Sequence, residues 1–169
     1  APWHYHPTMD RGRKAWTIDE VPLDWCMGAG VVLDLRHLPD GYKVLPSDVE
    51  RALKKIDYHL KPGDIVLVMT GADRHWGTAE YMSKGCGMGR DATLWILAQG
   101  VNVVGTDAWG WDRPFGTIVE EFQRTGNTSI IWEGHFAGIE RGYCHIEKLH
   151  RLEDLPPTGF MLSCFPVKI

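Results

Sequence analysis

Apolar residues gather in three short clusters with a helical rhythm between them. Residues 30–36 (GVVLDLR), 65–69 (IVLVM) and 101–104 (VNVV) are brief and rich in β-branched side chains. That is the pattern of strands covered on both faces. Pro46 precedes Ser47-Asp48-Val49-Glu50, which reads as a capping box opening a helix. Val49, Leu53, Ile56 and Leu60 share one face of that helix, and Lys61-Pro62-Gly63-Asp64 closes it. Residues 90–99 read as a second helix, with Leu94, Trp95 and Ile96 for burial and Gly100 as the stop. Residues 117–124 give a short third helix closed by Gly126-Asn127, and residues 129–132 a strand. Residues 136–141 form a helical turn with Gly142 at its C-cap, and residues 143–147 alternate as a strand. A Pro-Pro loop at 154–159 leads to a last strand over 160–169. Strands alternating with helices predict a single α/β domain whose sheet is largely covered.

Two polar loops leave predicted strand ends: residues 70–77 (TGADRHWG) and 105–112 (GTDAWGWD). The carboxyl ends of strands are where α/β sheets carry ligands. Residues 85–89 (GCGMG) fit neither a Walker A loop nor a dinucleotide fingerprint. No strand leads directly into them and no Lys-Ser/Thr follows, so they read as a flexible loop entering a helix.

Composition narrows the class. The 169 residues suffice for one domain with a proper core, and the formal charge of −4 argues against a nucleic-acid surface. No apolar run reaches the ~18 residues that cross a bilayer. The four cysteines are scattered with no C-x-x-C pair, which fits a reducing compartment and a cytoplasmic protein. Several of the eight tryptophans sit beside Gly, Asp or His and suggest a pocket with aromatic walls. The opening Ala1-Pro2-Trp3-His4-Tyr5-His6-Pro7 has no initiator Met and no signal pattern, and the chain stops in a β-prone run at Ile169. Both ends read as cut from within a longer chain.

Three groups of residues carry chemistry. His4 and His6 would face the same way in an extended segment and form an H-x-H pair suited to one metal ion, or simply two surface histidines. His135 and Glu147 are twelve residues apart. On one helix they would stand ~18 Å apart. Gly134, Gly138 and Gly142 interrupt that stretch, so a returning strand can bring Glu147 near His135, with His145 on the same face as a weaker candidate. Imidazole and carboxylate suit Zn²⁺ or Mn²⁺, although Glu147 can equally pair with Lys148 or Arg151. Asp73, Arg74, His75, Asp107 and Asp112 lie on the strand-end loops, where turn chemistry is the plainer explanation. No serine sits in a G-x-S-x-G elbow, and no local signature marks a cysteine nucleophile.

Taken in order, these pieces resemble the cyclase family of metal-dependent hydrolases, the group that holds bacterial kynurenine formamidase and isatin hydrolase. Ala1-Pro2-Trp3-His4 resembles the tail of that family's signature H-x-G-T-H-x-D-x-P-x-H. Pro62-Gly63-Asp64-Ile65-Val66-Leu67 with Thr70-Gly71 resembles its central strand, and Gly105-Thr106-Asp107 its G-x-D strand end. His135, then Glu147, then Leu152-Glu153-Asp154-Leu155-Pro156 resembles its closing stretch, and residues 165–169 the start of its last strand.

The resemblance implies an α/β fold with a mixed sheet, flanking helices and a swivelling β/β/α core. It implies hydrolysis of a small-molecule C–N bond, in an aryl formamide, a cyclic amide or imide, or a related lactone. It matches His4 to an acid–base histidine, and His135 and Glu147 to metal ligands for one or two Zn or Mn ions, with Glu147 also able to take a proton. The family's first two histidines and its aspartate would fall just upstream of Ala1. Trp3, Trp76, Asp107 and Trp109 are the substrate-binding candidates, with Trp111 a further aromatic wall. The partners implied are a small-molecule substrate and copies of the same chain in a homodimer or homotetramer, with neither nucleic acid nor membrane. The alternative is a non-catalytic small-molecule-binding protein that keeps the fold.

Overall fold

The computed structural model describes residues 4–167. Five segments form the central sheet: β1 (Met27–Asp34), β2 (Ile65–Met69), β3 (Val103–Thr106), β4 (Cys144–Ile146) and β5 (Phe160–Ser163). Their order across the sheet is β4-β3-β2-β1-β5. The first four run parallel, and β5 closes one edge antiparallel to β1. The register aligns Val31, Val66, Val104 and His145 in one row across four strands.

Alternation along these strands fills two cores at once. Val31, Leu33, Val66, Val68 and Val104 face α1 (Pro46–Lys55) and α2 (Arg90–Ala98), which contribute Val49, Leu53, Ile96 and Leu97. Val32, Ile65, Leu67, Met69 and Val103 face the other way, onto Leu152, Trp25 and Phe160. Burying each such side chain contributes about 1.5–3 kcal/mol. With neither face free to carry polar residues, the strands read as continuous apolar runs.

Several elements depart from the sequence pattern for local reasons. The first helix begins one residue early: Leu45 is its N-cap, Pro46 takes the first turn, and the Asp48 carboxylate accepts the Leu45 N–H at 3.0 Å. It ends at Lys55 because Asp57 turns left-handed at φ 50°, so Leu60 packs on the core from the loop beyond. Residues 129–132 are not a strand. The Asn127 side chain accepts from Ser129 N and Oγ, which starts a 3₁₀ turn at Thr128–Ile130. After Trp132, left-handed at φ 48°, the chain enters α4 (Glu133–Phe136). The last strand ends at Ser163, and residues 168–169 lie outside the described residues.

The glycine-rich stretch is buried rather than a flexible loop: Gly87–Met88 pairs in parallel with Lys43–Val44. Gly87 is needed there because a Cβ would lie 2.0 Å from the Arg113 backbone nitrogen. That close approach seats the segment 111–113 against the core, and Met88 N–H donates to the Trp111 carbonyl at 2.8 Å. From Pro114 the chain continues into α3 (Phe115–Thr125).

Gly87→Ala should therefore lower unfolding free energy by about 1–3 kcal/mol, because the clash is with backbone that cannot swing away. Gly116→Ala is the contrast: its Cβ would meet nothing within 4 Å, and it lies in a helix. It should be neutral or add up to about 1 kcal/mol. Urea midpoints at constant m would show both.

Candidate metal and substrate site

The carboxyl ends of β3 and β4 converge with α4 on one cluster. His135 lies in α4, His145 in β4, and Glu147 just past the end of β4. Donor atoms of all three lie within 4.8 Å of one another. His145 Nδ1 is 3.2 Å and His135 Nε2 3.4 Å from Glu147 Oε1. Both ring nitrogens are buried, and neither is aligned to make a hydrogen bond. Two buried imidazole nitrogens that approach one carboxylate without an aligned hydrogen bond are what an N, N, O donor set looks like.

The surroundings fix these donors. Asp112 Oδ1 and Oδ2 accept the N–H groups of Gly134 (2.6 Å) and His135 (3.0 Å), which ties the β3 loop to the first turn of α4. The same carboxylate meets His135 Nδ1, which turns Nε2 toward Glu147. Trp111 N–H donates to Glu147 Oε1 at 2.9 Å, while the Trp111 indole is fully buried and donates to Thr93 Oγ1 at 3.1 Å. The Tyr143 hydroxyl holds the Gly134 carbonyl at 2.7 Å.

Burial opposes the charge on Glu147. The imidazoles of His135 and His145 and the Trp111 N–H nevertheless hold its carboxyl well below the usual carboxylate range. Burial pushes His145 down, against the pull of Glu147, toward the neutral imidazole that a metal requires. At His135 burial also disfavours the cation, but Asp112 and Glu147 outweigh it and raise the value.

An open cleft leads to this cluster and includes His135, Glu147 and Asp112 in its lining. Its walls are aromatic: Tyr5, Trp109, Phe115 and Trp132. The Tyr5 ring lies 3.9 Å from that of His135, and burial raises the Tyr5 pKa to about 12. Lys84 and Arg113 also line the cleft.

The candidates from sequence are distributed unevenly. His135, Glu147 and Trp109 meet in the cleft. His4 is exposed, with its ring 4.6 Å from Tyr5. His6 is buried against the Thr8 carbonyl and beside Gly138, and it does not line the cleft. Trp76 is 63% exposed and stacks edge-on against Tyr81, and it does not line the cleft. Trp111 is core rather than wall, with only its backbone reaching the site. Asp107 is buried and accepts from Thr70 N (2.8 Å), Thr70 Oγ1 (2.6 Å) and Gly71 N (2.8 Å), so it joins the ends of β2 and β3. Asp73 is likewise occupied by His150 and the Arg151 N–H. Trp3 lies outside the described residues. Tyr5, Phe115, Arg113 and Trp132 had no motif to mark them, Asp112 was marked by its place on a polar strand-end loop, and His145 shares the period-two face of Tyr143 and Glu147.

Comparison with known proteins identifies the family and the fold. The family described as "Putative cyclase" matches residues 1–113, and the chain belongs to that family. An isatin hydrolase bound to the product analogue thioisatinate shares the fold, with 18% identity and a TM-score of 0.77, over 100% of this chain and 64% of that one. Isatin hydrolase A from Labrenzia aggregata, bound to benzyl benzoate, is 21% identical with a TM-score of 0.79, over 100% of this chain and 65% of that one. A "potential metal-dependent hydrolase with cyclase activity" is 21% identical with a TM-score of 0.54, over 94% of this chain and 63% of that one. The chain thus spans under two thirds of the length of these structures. No curated protein matches it. The fold is the mixed α/β arrangement with a cyclase-like core.

Asp107→Ala would leave buried backbone donors at Thr70 and Gly71 without an acceptor. It should cost about 2–4 kcal/mol of stability. Thermal unfolding should show this loss, and the aromatic lining of the cleft should remain, as read by quenching of tryptophan fluorescence with an aromatic ligand.

Proposed function

We propose that the protein is a metal-dependent hydrolase of a small aromatic amide or a related lactone, with His135, His145 and Glu147 holding a divalent ion. The observation that carries this reading is the convergence on one carboxylate of two buried imidazole nitrogens that make no aligned hydrogen bond, at the base of an aromatic cleft. Zn²⁺ and Mn²⁺ both accept such a donor set. A bound ion there supplies Lewis acidity toward a carbonyl and toward water.

The protein's own groups supply the rest. Asp112 fixes the His135 ring and its tautomer, which keeps Nε2 free as a donor. Trp109, Phe115 and Trp132 accept a flat ring and exclude water from its faces. Glu147 stays ionised beside the two histidines and holds the ion rather than taking up a proton at neutral pH. His4 follows the P-x-H pattern and stands one residue from Tyr5, which lines the cleft. We assign it the proton transfer between the attacking water and the leaving nitrogen, a task that suits an imidazole. The hydrolases of the same fold support the reaction class, and one of them was solved with a product analogue.

Elemental analysis after incubation with Zn²⁺ or Mn²⁺ should find one to two ions per chain by the usual count for such sites. His145→Ala should abolish tight retention, and Asp112→Ala should weaken affinity about 10–100-fold through loss of His135 orientation. Protein that takes up no metal, or a His145→Ala variant that binds as well as wild type, would sink the assignment. His4→Ala should keep its metal and lose most turnover of an aryl formamide, about 10²–10⁴-fold. Loss of metal and turnover together would make His4 a ligand instead.

A further inference from the structure

Far from the cleft, the pairing of β1 with β5 brings two thiols face to face. Antiparallel register sets Met27 opposite Ser163 and Gly28 opposite Leu162. One step further along the same register, Cys26 stands opposite Cys164, and the Cys164 N–H donates to the Cys26 carbonyl at 2.8 Å. Side chains alternate between the two faces of a strand. Cys26 therefore falls on the face of Gly28 and Gly30, and Cys164 on the face of Leu162 and Phe160. These are one and the same face, because Gly28 pairs with Leu162 and Gly30 with Phe160. It is the face over the second core, where Phe160, Leu162 and Cys164 pack. The Cys164 thiol donates to the Cys26 carbonyl at 3.5 Å, and the two thiols lie within hydrogen-bonding reach of each other. Both are free.

This placement meets the backbone requirement of a disulfide. Directly opposed residues of an antiparallel pair have Cα atoms ~4.5–5.5 Å apart. A disulfide spans ~4.4–6.8 Å between Cα atoms. Side-chain rotation can thus join the sulfurs without moving either strand. Cys26 is buried and Cys164 half-buried, so an incoming reagent meets Cys164 first. The other two cysteines are placed differently. Cys86 lies in the first core, and Cys144 on β4 at the opposite edge of the sheet.

The bond would act where the sheet is held least. Among the described residues β5 pairs with β1 alone and has no neighbour on its outer side. Its residues alternate between half-buried and exposed, with none fully buried. Cys26 and Cys164 are 138 positions apart, and a crosslink over so long a loop restricts the unfolded chain strongly.

We propose that Cys26 and Cys164 are a modification site, a reversible disulfide that latches β5 to β1 when the protein meets a low-molecular-weight disulfide of the glutathione class. The Cys164 thiolate attacks one sulfur of the reagent and displaces the first small thiol. The Cys26 thiolate then attacks Cys164 Sγ and displaces the second. Two protein thiols and one small disulfide become one protein disulfide and two small thiols, which carry away both protons. Burial pushes both protein thiols up, so the pair serves as a latch and not as a standing nucleophile.

The test treats the purified protein with oxidised glutathione and maps its disulfides by mass spectrometry of unreduced peptides. One crosslink should join Cys26 to Cys164, leaving two of the four thiols for a thiol reagent in denaturant. The oxidised protein should have a higher urea midpoint than the reduced protein, and dithiothreitol should reverse the shift. Cys164→Ser should remove both crosslink and shift, whereas Cys144→Ser should keep both. The wild-type map stands even if either variant folds poorly. Four free thiols, glutathione left on Cys164 without closure, crosslinks through Cys144 or to a second chain, or a lower urea midpoint after oxidation each overturn the latch.

Discussion

The tie between Asp112 and the first turn of α4 is the constraint on which the site depends. One buried carboxylate takes two backbone N–H groups and one imidazole, from residues more than twenty positions further along the chain. It sets where α4 begins, which way the His135 ring turns and how close Gly134 comes to the core. Gly134 has no room for a side chain, since a Cβ would lie 2.8 Å from the Met88 carbonyl. A bond to a charged acceptor is stronger than one between neutral groups, and burial strengthens it further. The short helix α4, with four residues, has little stability of its own and borrows it from this contact.

Trp111 shows how core and site share one residue. Its indole fills the space between the sheet and α2, while its amide holds Glu147. Trp111 is not an aromatic wall, because its side chain points into the core and only the backbone faces the cleft. Trp109, two residues earlier, is 46% exposed and lies under the Lys148 ammonium at 4.7 Å. Residues two apart share a face in a regular strand, but this loop is a series of bends, and composition alone does not say which tryptophan of the pair goes in.

What the sequence made legible follows from what is local. Apolar clusters marked three of the five strands because those strands are covered on both faces. Helix positions followed from periodicity, while their ends shifted wherever a single residue, such as Asp57 or Trp132, adopted a left-handed backbone. The twelve-residue interval from His135 to Glu147 suggested a return of the chain that the structure supplies through α4 and β4. Asp112 was harder to read. Its role depends on contacts across twenty or more positions, which leave no periodic trace.

The antiparallel edge strand has a consequence for how the chain is made. β1 pairs with β2 on one side and with β5 on the other, and β5 comes more than a hundred residues later. During synthesis, the outer edge of β1 must wait for nearly the whole domain to emerge before its backbone groups find partners. Open apolar strand edges recruit other chains. The nascent protein therefore passes through a window in which sheet, helices and cleft loops can form while one flank is still adhesive. Conditions that slow elongation should harm its yield more than its finished stability would suggest.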